Sequence, residues 1–221
     1  MNRTENVRVK ICCMGSVEEA KLAVAYGASA VGLVSEMPSG PGPISEKLIE
    51  EIAATVPTGV ATVLLTCKHD AEGIIAQQLR TKVNTIQIVD EFPIAQYATL
   101  RRKLPGVKFV QVIHVRGEES IDEARKVAAY VDALLLDSGN PTLKTKELGG
   151  TGRVHDWSVS KRIRESIEIP VYLAGGLKAE NVAESIRVVG PFAVDVCSGV
   201  RTNDKLDEEK LAQFFARIQQ S

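Results

Sequence analysis

VRVKICCMGSVEEAKLAVAYG, residues 7–27, decides the fold of this chain. Its first seven residues are β-branched and alternating, which reads as a short strand. Ser16 then stands where a helix N-cap belongs, and Glu19 follows three residues later. That spacing is a capping box, and Gly27 can close the helix it opens. One strand followed by one capped helix is a βα unit. Seven further strand-like runs follow: AVGLVS (30–35), GVATVLLT (59–66), TIQIVD (85–90), KFVQVIHV (108–115), ALLLDS (133–138), VYLAGG (171–176) and AVDVCSG (193–199). Each is followed by a stretch of helical periodicity, from ISEKLIEEIAATV to DEEKLAQFFARI. Strands begin about every 22 to 29 residues, with one gap of about 38 before VYLAGG.

Strict alternation implies parallel strands joined by helical crossovers. Eight units in 221 residues fit one α/β domain over residues 1–221, a (β/α)₈ TIM barrel. A doubly wound open sheet is the alternative, but no GxGxxG follows the first strand. Composition agrees with a globular domain, at 44% hydrophobic and 25% charged residues. A net charge of −1 gives no electrostatic reason to expect a nucleic-acid or membrane partner. No apolar run approaches the ~20 residues of a membrane helix. MNRTENVRVK lacks an apolar signal core, so the expected location is the cytoplasm. The four cysteines show no metal-ligand spacing and are expected to be reduced.

Active sites of such barrels lie at the C-terminal ends of the strands. Alternation along the first strand puts Val9, Ile11 and Cys13 outward, toward the helices, and Lys10 and Cys12 into the barrel. Cys12 then reads as a site thiol above a lysine that favours its thiolate, and Cys13 as packing. Both could equally be small buried hydrophobes. Asp137 ends ALLLDS, either as a cap or as a catalytic carboxyl facing Cys12. Glycine-rich turns follow: LGGTGR (148–153), LAGGLKAEN (173–181) and CSGVR (197–201). The last two follow strands seven and eight, where barrels bind phosphate on backbone N–H groups. Asp195 shares the inward face with Cys197 and is a candidate partner for Lys10. His69, His114 and His155 form no motif, and Trp157 reads as a core anchor.

KIC at the first strand, LLLD at the sixth, GGTG…DW, LAGGL…NV and VDV-SG at the eighth run in order over nearly the whole chain. Together they resemble the phosphoribosylanthranilate isomerase family of tryptophan biosynthesis, itself a (β/α)₈ barrel. The resemblance implies Cys12 as catalytic base and Asp137 as catalytic acid of an Amadori rearrangement, without metal or other cofactor. It implies a phosphorylated small-molecule substrate held by Gly175, Gly176, Ser198 and Gly199, with Gly150, Thr151 and Gly152 closing over it. Barrels of this size are monomers or homodimers.

The chain departs from that pattern at four places. After the second strand SEMPSGPGPIS replaces a loop whose arginine is associated with the anthranilate carboxylate, and Gly42 or its neighbour holds the arginine position. Val89 stands where a histidine is expected, Arg201 replaces a frequent glutamate, and KICG has become KICC. Arg201, Arg116 and Arg153 are the candidate replacement cations. Two other readings keep the fold: an isomerase of another phosphorylated aminosugar, and a barrel that binds such a metabolite without turnover.

Overall fold

A computed structural model describes residues 7–139, 142, 148 and 154–220. Eight parallel strands close into a barrel in sequence order. They are β1 (Arg8–Ile11), β2 (Ala30–Val34), β3 (Ala61–Thr66), β4 (Thr85–Ile88), β5 (Lys108–His114), β6 (Ala133–Asp137), β7 (Val171–Leu173) and β8 (Ala193–Val196). Closure is made by β1 against β8, where Lys10 sits opposite Asp195 and Ile11 opposite Val196. The crossovers are helices α1 (Val17–Ala25), α2 (Glu46–Thr55), α3 (Ala71–Thr81), α4 (Ile94–Lys103), α5 (Glu119–Ala128), α6 (Trp157–Glu165), α7 (Val182–Val189) and α8 (Glu208–Ile218). Among the described residues no helix is long and apolar enough to cross a membrane.

The caps explain where the helices begin. Ser16, Ser45, Asp70 and Asp156 each accept a hydrogen bond from a backbone N–H in the first turn of the following helix. The expected capping box at α1 is half present. Ser16 accepts from the Glu19 N–H at 3.2 Å, but the Glu19 carboxylate reaches Gly15 N at 2.8 Å instead of the cap residue's own N–H.

Alternation divides the apolar residues into two layers. Val9, Ile11, Leu134, Leu136, Val194 and Val196 face outward and join the helices in the main core. Val110, Val112, Ala133 and Leu135 fill the barrel interior with Tyr172 and Leu65. This is the packed lumen of a (β/α)₈ barrel, not a pore. Lys10 and Asp195 sit in that lumen and are nearly out of solvent.

Candidate active site

β1 stops at Ile11, two residues earlier than the alternation suggests. Cys12 N still donates to Val196 O at 2.8 Å, so Cys12 keeps strand geometry and its thiol enters the mouth of the barrel. Room for it comes from the neighbouring strand. A Cβ on Gly32 would lie 2.7 Å from Cys12 Sγ and 3.2 Å from Lys10 Nζ. β2 therefore needs glycine there so that thiol and ammonium can stack beside it.

Cys13 does not point outward. Its φ is +64°, in the left-handed region that L-residues other than Asn and Asp rarely enter. That turn swings its thiol into the mouth, where Sγ touches the thiol of Cys197 at 2.6 Å and approaches Pro41 O at 3.6 Å. The expected outward packing is thus corrected. Alternation holds only while the strand continues, and it has ended.

The three neighbours set the ionisation of these thiols. A hydrogen bond from Cys13 lowers the pKa of Cys12; burial opposes this, and the Lys10 charge reinforces it. Cys13 is pushed well above the ordinary thiol range, first by its bond to Cys12, then by Cys197 and by burial. Cys12 is therefore the thiol of this group that favours the anionic form.

Asp137 ends β6 on the inward face shared with Ala133 and Leu135. It is buried, and its Oδ1 accepts from Ser138 N at 2.7 Å. Cys12 and Asp137 line one cleft, together with Gly175, Gly176 and Ser198. Gly199 lies behind this lining. Its backbone packs so tightly on the turn after β7 that an added Cβ would fall 2.0 Å from Leu177 O. The two turns assigned to phosphate are thereby locked together. Gly150, Thr151, Gly152 and Arg153 lie outside the described residues.

The cleft also holds a residue that sequence reasoning did not assign. Gln87, on β4, is only 3% exposed and lines the cleft, and its Oε1 has no hydrogen-bond partner. Its position was visible as the polar residue between Ile86 and Ile88, but nothing in the sequence showed it unpaired.

Of the three replacement cations, Arg201 and Arg116 do not line the cleft. Arg201 is 8% exposed and its Nη2 bonds Glu19 Oε2 at 2.8 Å. It also donates to Asp204 O at 2.7 Å and to the carbonyl of Cys13. Arg116 is exposed and outside the cleft lining. Gly42 cannot carry a cation either. With φ +80°, it packs on Cys13 so closely that its Cβ would sit 2.7 Å from Cys13 Cβ. The two departures KICC and PGP are thus one packing unit. Among the described cleft residues there is no lysine or arginine, and the acidic side chains are Asp137 and Asp195.

His114 donates through Nε2–H to Val89 O at 2.9 Å, and His155 contacts Ser160 Oγ at 2.6 Å. His69 lies at the surface near Glu91 O. None lines the cleft.

Residues 9–217 match the family model described as N-(5'phosphoribosyl)anthranilate (PRA) isomerase. The chain is 35% identical to the N-(5'-phosphoribosyl)anthranilate isomerase of Methanosarcina acetivorans, over 96% of this chain and 92% of that protein. The phosphoribosyl anthranilate isomerase of Thermotoga maritima superposes with a TM-score of 0.83 at 30% identity, covering 97% of this chain and 100% of that one. A second solved isomerase, in complex with reduced 1-(o-carboxyphenylamino)-1-deoxyribulose 5-phosphate, gives 0.81 at 28% identity over 97% and 100%.

Proposed function

The chain belongs to the N-(5'-phosphoribosyl)anthranilate isomerase family, and from that premise we propose that it rearranges N-(5'-phosphoribosyl)anthranilate to the 1-deoxyribulose 5-phosphate product in tryptophan biosynthesis. Asp137 is the acid and Cys12 the base. The observation that supports this assignment is the convergence of Cys12 and Asp137 on one cleft above the turns at Gly175–Gly176 and Ser198.

Asp137 gives its proton to the ribose ring oxygen. The C1–O bond breaks and the anthranilate nitrogen supplies the electron pair for a Schiff base. The Cys12 thiolate then takes the proton from C2, and the electrons left behind form the enolamine. Tautomerisation delivers the ketone. Acid and base act on opposite ends of one C1–C2 unit, so their fixed separation across the cleft supplies the orientation that such proton transfers need.

The phosphate rests on the backbone of the β7 and β8 turns, where closely packed glycine backbone can approach an anion. Gln87 accepts from a sugar hydroxyl, which satisfies its otherwise unpartnered Oε1. The aromatic end meets the segment from Met37 to Pro41. There the family's arginine is absent; with Arg201 paired to Glu19 and Arg116 exposed outside the lining, Arg153 is the remaining candidate cation.

The test is turnover. The purified protein should consume N-(5'-phosphoribosyl)anthranilate, followed as loss of its fluorescence. Cys12→Ser and Asp137→Asn should each remove nearly all of that rate. Undiminished turnover in either variant would remove that residue from the mechanism.

A further inference from the structure

Three thiols meet at the mouth of the barrel, and the rearrangement uses one of them. Cys13 and Cys197 are the other two. They stand 184 residues apart in sequence with their sulfur atoms in contact, and both are free thiols. We propose that Cys13 and Cys197 are a thiol–disulfide exchange site, which links reversibly across the rim of the active-site cleft.

Their sulfur atoms already touch, and the strands that lead to them are neighbours. Cys13 follows β1 and Cys197 follows β8, and these strands are hydrogen-bonded neighbours with Ile11 beside Val196. Arg201 grips the Cys13 carbonyl from one side, while Cys197 leads directly into the turn Ser198–Val200. Closure therefore needs side-chain rotation more than backbone movement. Packing alone does not account for Cys13, since it occupies a left-handed position that glycine would fill without strain.

Access decides the order of events. Cys197 is partly exposed and lines the cleft, whereas Cys13 is buried. The Cys197 thiolate attacks a small disulfide such as glutathione disulfide, forms a mixed disulfide and releases one thiolate. Cys13 loses its proton, attacks the Cys197 sulfur and expels the second. In all, two protein thiols are oxidised by two electrons, one disulfide is reduced to two thiols, and a reducing thiol reverses the exchange.

The link reaches the chemistry through Cys12. In the reduced protein the neighbouring Cys13 thiol is the first of the influences that favour the Cys12 thiolate. A Cys13 sulfur bonded to Cys197 has no hydrogen left to donate, so the oxidised form has a weaker supply of base. Turnover should fall about tenfold, the worth of one hydrogen bond to a charged group.

The full chain is incubated with glutathione disulfide, quenched in acid, alkylated and digested. Mass spectrometry should find the peptides carrying Cys13 and Cys197 joined, with Cys12 alkylated. Cys13→Ser and Cys197→Ser should each abolish the joined species, and Cys12→Ser should keep it. The joined peptide is read by mass, so it stands or falls independently of the substrate assignment. In the turnover assay the wild type should lose activity with glutathione disulfide and regain it with dithiothreitol, while Cys197→Ser should keep the same rate in both buffers. Absence of the joined peptide, a link through Cys12, or a joined protein with undiminished turnover would overturn the proposal.

Discussion

Lys10 Nζ lies 2.9 Å from Asp195 Oδ2, on adjacent strands inside the barrel, one layer beneath Cys12. Lys10 is 1% exposed. Burial opposes its charge, but the Asp195 carboxylate outweighs burial and holds the ammonium protonated, with Cys12 adding to the effect. Burial pushes Asp195 the other way, toward the neutral acid, against Lys10. Of these opposed tendencies the ion pair prevails, because the 2.9 Å contact gives each buried charge an opposite partner, even though Asp195 Oδ1 is left without a hydrogen bond.

Removing one partner strands the other. Lys10→Met should lower the unfolding free energy by about 3–5 kcal/mol, because Asp195 is then buried without a counter-charge. The double variant Lys10→Met/Asp195→Leu should recover much of that loss. Urea unfolding of the single and double variants measures both. A double variant no more stable than Lys10→Met would show that the pair is not the source of the cost.

The same ammonium acts on the rate. With Cys12 as the proposed base, kcat/KM should rise with pH as its thiol ionises, and the limb should fall below the ordinary thiol value of about 8.5. Lys10→Met removes one of the two influences that lower Cys12 and should move that limb to higher pH. Cys12→Ser should cost roughly 10²–10⁴ in kcat/KM. A limb that stays in place in Lys10→Met would mean that Lys10 does not tune the thiol.

Gln87 should trade stability against binding. Its Oε1 is buried without a hydrogen-bond partner, which costs about 1–3 kcal/mol. Gln87→Leu should therefore raise Tm, while KM for the substrate rises roughly tenfold through the lost sugar contact. Thermal melts and steady-state kinetics on one preparation test both signs. A lower Tm with unchanged KM would make Gln87 a structural residue.

ALLLDS, a continuous apolar run, left Asp137 open between a cap and a site carboxyl. The alternation of VRVKICC and AVDVCSG was enough to put Lys10, Cys12 and Asp195 inside the barrel, because polar residues mark the inward face of these two strands. The same rule failed one residue further on. Cys13 lies past the last strand residue, and only backbone geometry shows the left-handed turn. Arg201 was unreadable for a different reason. Its partner Glu19 is 182 residues away and looked like half of a capping box. Local spacing cannot announce a bond made across the barrel mouth.

Position 13 offers a direct check of that turn. A left-handed residue with a Cβ costs about 1–2 kcal/mol relative to glycine. Cys13→Gly should therefore be more stable than Cys13→Ala by about 1 kcal/mol, the reverse of the usual order in regular structure. Equal stability of the two variants would mean that the backbone at Cys13 is not left-handed in solution.

Glu19 and Arg201 decide whether this arginine serves the fold or the substrate. Burial works against the Glu19 charge, but Arg201 and the N–H groups of Leu206 and Gly15 overcome it and lower its pKa. A carboxylate depressed in the folded state adds stability above its unfolded pKa of about 4.3, and that stability is lost as pH falls through the folded value. At neutral pH Glu19→Gln should cost about 2 kcal/mol. The gap from wild type should close on acidification past that folded value, because the wild-type carboxyl is then neutral as well. Arg201→Met should show a similar loss at neutral pH with little change in KM. A stable Arg201→Met protein with a strongly raised KM would instead place the guanidinium on the substrate carboxylate and displace the Glu19 pair from its structural role.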